Sequence, residues 1–324
     1  MKPSMINIHT HRNELRGSIR PVKNNYVRMK TYVKIFIALS LITTASCKKD
    51  NFTPLTTPPP GLGGDTWAQD STDTFIHDSL TVPYNVAVYY KWLPGQLDFP
   101  SEITPPDEAK VIPMLKALLA VAYGPYNQQT GSTTFLRKYL PKALEMAGSA
   151  EYLPNGAIFL GQAEGGTAML LYQVNQFSRL KKDSNTFKQT MHTMHHEFGH
   201  ILHQNVLYPA SYKTISTGYT GQWYNVADAD ARLQGFITAY AMSGPDEDFV
   251  EMISSMLSGA PGGPSGGYDE YEALLNQAGG PGSPGYVTIK AKEAVVVDYF
   301  ARVWNIDFYA LRTKCRTAFV NYLQ

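Results

Sequence analysis

The sequence predicts an α+β domain, and two observations carry that reading. Strand-like runs lie in the first half of the body of the chain, at Tyr84–Trp92, Ala157–Leu160 and Thr167–Val174. The second half reads as successive helices. Strands first and helices afterwards favour segregated layers over an alternating parallel sheet. The expected architecture is an N-terminal mixed sheet, a central helix carrying the chemistry, and C-terminal helices.

Each element has a local reason. Tyr84–Trp92 (YNVAVYYKW) is rich in β-branched and aromatic residues, which suit a pleated, half-buried surface. Pro105-Pro106 opens a helical pattern through Tyr123, and Pro113 inside it predicts a kink or an early break. Ala157–Leu160 and Thr167–Val174, split by Gly161 and by Gly165-Gly166, read together as a β-hairpin. A helix from Asn185 to about Gln204 follows, with Phe187, Met191, Met194, Phe198 and Ile201 at steps of three and four and Asp183 or Ser184 as N-cap. The next starts at Pro245 after Gly244, buries Phe249, Ile253, Met256 and Leu257, and stops at Gly259. After a Gly/Pro-rich loop, Gly259–Gly267, two helices near Thr288–Trp304 and Asp307–Leu323 close the chain.

Charge divides the chain. Of 28 Lys+Arg and 27 Asp+Glu in 324 residues, ten basic and one acidic side chain fall in residues 1–49, leaving 18 basic and 26 acidic in the rest. An acidic body argues against nucleic acid as a partner, because phosphate binding needs a basic face. With 44% hydrophobic residues the body can bury a full core. Two cysteines make neither a disulfide framework nor a Cys-rich zinc finger, and Cys315 in a helical pattern reads as a small buried apolar residue.

The basic leader contains the apolar run Ile35–Ala45, too short to span a bilayer as a helix. It follows Lys30 and Lys34 and ends in small residues before Cys47, the pattern of a secretory signal peptide. Thr44-Ala45-Ser46-Cys47 resembles a bacterial lipobox, departing from it at Thr44, where an aliphatic residue is usual. That resemblance implies lipidation at Cys47. Met29 opens a signal of standard length, so residues 1–28 read as an over-called start. The expected division is 1–46 signal peptide, 47–66 lipidated cysteine and Thr/Pro/Gly-rich tether, and 67–324 the working domain.

Five of the eight histidines fall in His192–His203, HTMHHEFGHILH. Within it His196-Glu197-Phe198-Gly199-His200 is an HExxH motif. On a helix, i and i+4 share a face. His196 and His200 can therefore grip one zinc ion, with Glu197 beside it to handle a bound water. Zinc needs a third protein ligand and an open position. A metzincin pattern would have Gly at 203 and His at 206, but the sequence has His203 and Val206. Using His203 itself would put three ligands in a row along one helix. A later glutamate serves better: Glu247 and Glu251, in GPDEDFVEM, are i and i+4 on the next helix. One can ligate and the other can hold a ligating histidine. Asp248 points elsewhere and reads as a first-turn acid complementing the helix dipole. His192 reads as a neighbour of the ligands or a solvated side chain, and His195 and His203 as lying off the metal face.

Tyr240 through Glu251 resembles the corresponding segment of lethal-factor-type proteases, in which a tyrosine precedes the zinc-binding glutamate by seven residues and a second glutamate follows by four. The resemblance implies Glu247 as third ligand, Glu251 as the partner of a ligating histidine, and Tyr240 as a phenol that stabilises the oxyanion. Residues 70–320 also resemble zinc metallohydrolase lipoproteins associated with outer-membrane substrate import. The features concerned are the lipobox, Pro83-Tyr84-Asn85-Val86, Leu160-Gly161-Gln162-Ala163-Glu164-Gly165-Gly166, HEFGH and Glu247-Asp-Phe-Val-Glu251. This second resemblance implies a zincin-like fold, one zinc per chain, a neighbouring import receptor with its surface lipoprotein, and attachment by lipid to the outer membrane of a Gram-negative bacterium.

The leading expectation is a zinc peptidase of the zincin class acting on peptide or protein. In this reading Thr167–Val174 offers a sheet edge for an extended substrate, and the loop 205–239, with Tyr208, Tyr219 and Trp223, shapes the cleft. The alternatives are a non-catalytic surface lipoprotein that captures peptide or glycan for an importer, and a hydrolase of non-peptide amides. An intact Glu197 and Tyr240 favour catalysis, because a structural zinc site needs neither.

Overall fold

The computed structural model describes residues 68–91, 103–152, 158–159, 161–164, 167–180, 183–260 and 269–323. All of these lie in one unit, Trp67–Gln324. The leader, Cys47 and its tether, Trp92, Leu160, Gly165-Gly166 and most of the Gly259–Gly267 loop lie outside the described residues.

The first helix, α1 (Ser71–Ile76), begins at a reciprocal cap. Asp70 accepts from the Thr72 and Asp73 amides, and Asp73 accepts from the Asp70 amide. The chain widens through a π turn, His77–Thr81, into α2 (Val82–Tyr84), and Asn85 ends it in the left-handed region at φ 58°. Strand β1 is therefore only Ala87–Tyr89, not the whole of Tyr84–Trp92. Ile76, Leu80 and Tyr84 recur every fourth residue and are buried, so helical packing claims Tyr84 from the strand.

Helix α3 (Glu108–Ala117) is capped by Asp107 and carries Pro113 inside it without breaking. It runs through a π turn, Leu118–Tyr123, into α4 (Gly124–Thr130). An interior proline costs about 3 kcal/mol. Val111, Met114, Leu115, Leu118 and Val121 are all buried here, and each apolar side chain of this kind returns about 1.5–3 kcal/mol. Burial wins. Helix α5 (Thr134–Tyr139) leads back to the sheet.

Four strands form that sheet in the order β1-β2-β6-β5, with β2 at Ala143–Met146, β5 at Gly161–Glu164 and β6 at Ala168–Leu171. β1 and β6 both pair parallel to β2, and β5 pairs antiparallel to β6. A separate antiparallel ladder joins β3 (Glu151–Tyr152) to β4 (Ile158–Phe159). The sheet is mixed, as expected, but it is not free of parallel crossovers: α3–α5 lie between β1 and β2. The hairpin partner of β6 is Gly161–Glu164 rather than Ala157–Leu160. That partnership places β6 inside the sheet, so the expected substrate edge at Thr167–Val174 is corrected: among the described residues β1 and β5 are the edges. Leu144, Met146, Met169 and Leu171 point into the core at alternate positions.

The second half is helical. α6 (Ser184–Asn205) is followed by α7 (Asp228–Leu233), α8 (Pro245–Leu257), α9 (Glu270–Gln277), α10 (Pro284–Trp304) and α11 (Phe308–Tyr322). α9 went unread in the sequence, although Asp269 caps it by accepting from the Tyr271 and Glu272 amides. α6 and α8 pack closely. A methyl on Gly199 would sit 3.0 Å from Val250 Cγ1, so glycine at this position sets the approach of the two helices. Among the described residues no helix is long and apolar enough to cross a membrane.

Candidate metal centre

Helix α6 buries Phe187, Met191, Met194, Phe198 and Ile201 in the core and turns His196 and His200, one turn apart, toward α8. The first turn of α8 carries three consecutive acids, and steps of about 100° send them three ways. Asp246 accepts from the Tyr208 hydroxyl and pairs with Lys213 at 3.2 Å. Glu247 faces α6. Asp248 points into the core, where it meets Lys292 at 2.6 Å and accepts from the Tyr219 hydroxyl at 2.9 Å. Asp248 is a first-turn acid pointing away from α6, as expected, and it is fully buried.

Glu247 Oε2 lies 3.1 Å from His196 Nε2 and 3.2 Å from His200 Nε2, and the two Nε2 atoms are 3.2 Å apart. Three donor atoms thus face one point. A tetrahedral site with ligand bonds of about 2.0–2.1 Å has ligand-to-ligand edges of about 3.3–3.4 Å. The triangle fits such a cation with a shift of a few tenths of an ångström. Its donor set, two imidazoles and a carboxylate, also suits zinc.

A second group, His192, His196 and Glu251, could also hold a cation, and it shares His196 with the first. Its geometry is that of a hydrogen-bond hub. Glu251 Oε1 lies 2.7 Å from His196 Nδ1 and 2.9 Å from His192 Nε2, while Thr238 Oγ1 donates to Oε2 at 2.6 Å. Ser254 and Ser258 hydroxyls surround the His192 ring. His196 therefore presents Nε2 to Glu247 and His200 while Glu251 holds its Nδ1. This is the arrangement that orients a ligating histidine.

The electrostatics follow from this crowding. Burial opposes protonation of His196, but its hydrogen bonds to Glu247 and Glu251 prevail and lift its pKa to about 10. Burial likewise opposes ionisation of Glu247 and Glu251, yet the histidines facing them hold both well below the usual carboxylate range. His195 packs against Tyr126 away from this cluster, and burial lowers its pKa to about 3.

Glu197, one residue from His196, is buried, and its charge helps to raise both His196 and the Tyr240 phenol. The Tyr240 ring lies 5.8 Å from the His196 ring on one side and 4.9 Å, edge-on, from Trp223 on the other. Burial first, then the charges of Glu247, Glu251 and Glu197, push this phenol up and keep it protonated. Thr238 ties the parts together, donating to Glu251 and accepting from the Ala241 amide at the start of the Tyr240 turn.

The structure brings together all the expected site residues within the described chain: His196, Glu197, His200, Tyr240, Glu247 and Glu251. Cys47 lies outside the described residues. Sequence reasoning missed Thr238, the two serines around His192, and the contact of His203 with His200. His203 Nε2 lies 3.0 Å from His200 Nδ1, on the side of that ring away from Glu247. His203 therefore lies beside His200 and off the face on which His196, His200 and Glu247 meet, as the sequence suggests. Spacing from His200 was the available signal, since i and i+3 meet on a helix.

Two imidazoles and a carboxylate meeting between two helices are a donor set suited to one divalent cation. Residues 65–309 match the family described as "Putative zinc-binding metallo-peptidase", and the chain belongs to that family. It is also similar to a solved structure titled as a putative zinc-binding metallo-peptidase from Bacteroides caccae ATCC 43185. That chain is 28% identical, with 78% of this chain and 92% of the other covered and a TM-score of 0.64. No curated protein matches.

Proposed function

We propose that the chain is a zincin-type zinc peptidase, in which His196, His200 and Glu247 hold one zinc ion. The observation that carries this reading is the triangle of three donor atoms with Glu197 and Tyr240 at its side. The chemistry that zinc supplies when bound is Lewis acidity, which brings the pKa of a coordinated water toward about 7. Glu197 takes the proton of the attacking water and passes it to the leaving amine. The Tyr240 phenol donates to the carbonyl oxygen as negative charge develops there. Its raised pKa suits a donor that must stay protonated. Glu251 orients His196 through Nδ1.

The peptide enters in this reading as an added strand. β5 is the sheet edge that lies against α6, so Gly161–Glu164 is the segment for an extended substrate to pair with. The leader sequence supports export and lipidation at Cys47, and the resemblance to import-associated lipoproteins is the ground for an outer-membrane import receptor and its surface lipoprotein as neighbours. A Cys47→Ala variant that still incorporates labelled fatty acid would refute the lipid anchor.

Metal analysis together with a broad peptide-library digest read by mass spectrometry tests the activity. One zinc per chain and discrete cleavage sites are expected. A zinc-loaded protein that cleaves no peptide would refute the peptidase reading and leave a binding module or a hydrolase of non-peptide amides.

A further inference from the structure

His203 is 4% exposed, one helical turn beyond His200. Its Nε2 lies 3.0 Å from His200 Nδ1, while its own Nδ1 has no partner among the described residues. Aromatic edges confine the ring: Tyr208 at 5.5 Å and 71°, and Phe249 of α8 at 6.2 Å and 88°. A buried ring that leaves one nitrogen unpartnered is a costly way to fill a slot among aromatics. A leucine or phenylalanine would fill it without that cost, so the bond to His200 is what the polar ring contributes.

We propose that His203 is a positioning residue for His200, accepting its Nδ1–H and thereby holding its Nε2 lone pair toward the point that His196 and Glu247 also face. The argument rests on the zinc-peptidase reading. A neutral imidazole that offers Nε2 to a cation carries its proton on Nδ1 and needs an acceptor there. For His196 that acceptor is the Glu251 carboxylate; for His200 it is the neutral His203. The two ligand rings are therefore held by partners of different charge. The anion behind His196 makes it the more basic ligand, and His200 is held in place without being enriched in charge.

Three variants and one measurement on the unaltered protein test this. Zinc affinity is read by competition with a chromophoric chelator, and folding by circular dichroism. His203→Phe fills the slot but accepts nothing, and its zinc affinity is expected to fall about tenfold or more. His203→Gln restores an acceptor and should recover most of that loss. Wild-type affinity in His203→Phe would reduce His203 to packing and overturn the proposal. His200→Ala separates the two levels of inference. If it keeps wild-type zinc affinity, the zinc reading itself fails; if it loses zinc while His203→Phe does not, only the positioning role fails. Nitrogen NMR of zinc-loaded wild-type protein needs no variant to fold. It should show His200 protonated at Nδ1 and His203 unprotonated at Nε2, and a proton on His203 Nε2 would overturn the assignment.

Discussion

Asp248 and Lys292 meet at 2.6 Å with neither side chain exposed, joining the first turn of α8 to the middle of α10. Lys292 also donates to the Gly235 carbonyl at 2.7 Å and lies 4.1 Å from the centre of the Phe236 ring. Burial pushes the Asp248 carboxyl up to about 6 in spite of the lysine. Asp248 adjoins Glu247 in the first turn of α8, so the buried pair and the residue that faces α6 share one turn.

Lys292→Met leaves the Asp248 carboxylate buried without its cation, and a loss of about 3–5 kcal/mol in stability is expected. Asp248→Asn in the same chain should recover part of it. Urea denaturation midpoints read both. An unchanged midpoint in the single variant would show that the pair contributes nothing.

Glu197→Gln keeps the shape of the side chain and removes the carboxylate proposed as the base. Zinc content should stay at about one per chain while peptide cleavage falls by about 10²–10⁴-fold. Full activity on a peptide library would exclude Glu197 as the proton carrier.

Tyr240→Phe removes a hydroxyl and little else. The turnover number should drop by about 10²–10³-fold, with KM and zinc content close to those of the unaltered protein. Steady-state kinetics separate this from a packing role, which would lower stability instead.

Glu251→Gln removes the charge behind His196 without emptying the space. Zinc affinity should fall about 10–100-fold in chelator competition. An unaltered affinity would remove Glu251 from the support of the metal ligand.

In the chelated, metal-free protein the stability contributed by His196, Glu247 and Glu251 should be greatest between about pH 4.5 and 6.5. Above about 6.5 an unfolded histidine has lost its proton, whereas His196 keeps its own until about 10, so stability falls as the pH rises through that window. Below about 4.3 the unfolded chain takes up protons that Glu247 and Glu251 resist, so stability falls again as the pH drops. Zinc loading should abolish the alkaline decline that His196 causes, because a ligating histidine is neutral. Denaturation midpoints against pH, with and without chelator, check both limbs. A flat profile from pH 6.5 to 9 in the chelated sample would contradict the assignment.

Much of the site was legible because it is local. His196 and His200, and likewise Glu247 and Glu251, are i and i+4 pairs, and one helical period is enough to place each pair on a face. The same period marks Phe187 to Ile201 as the buried face of α6, and Pro245 and Gly259 bracket α8. The strand start at Tyr84 and the early break at Pro113, though not the kink offered beside it, give way for a shared reason. Local propensity at those residues is weaker than the burial of Ile76, Leu80 and Tyr84 in one case, and of Val111 through Val121 in the other.

The sequence by itself determined the chemistry available: a histidine pair with a glutamate between them, two later glutamates, and a tyrosine at a telling distance. Tertiary structure alone decided how these are held. Strand order made β5 an edge and put β6 inside the sheet; α10 brought Lys292 to Asp248; the turn before Tyr240 brought Thr238 to Glu251. Each is a pairing of residues far apart in the chain, or on separate elements, and no helical or strand period relates such partners. Their meeting is set by the packing of the whole core.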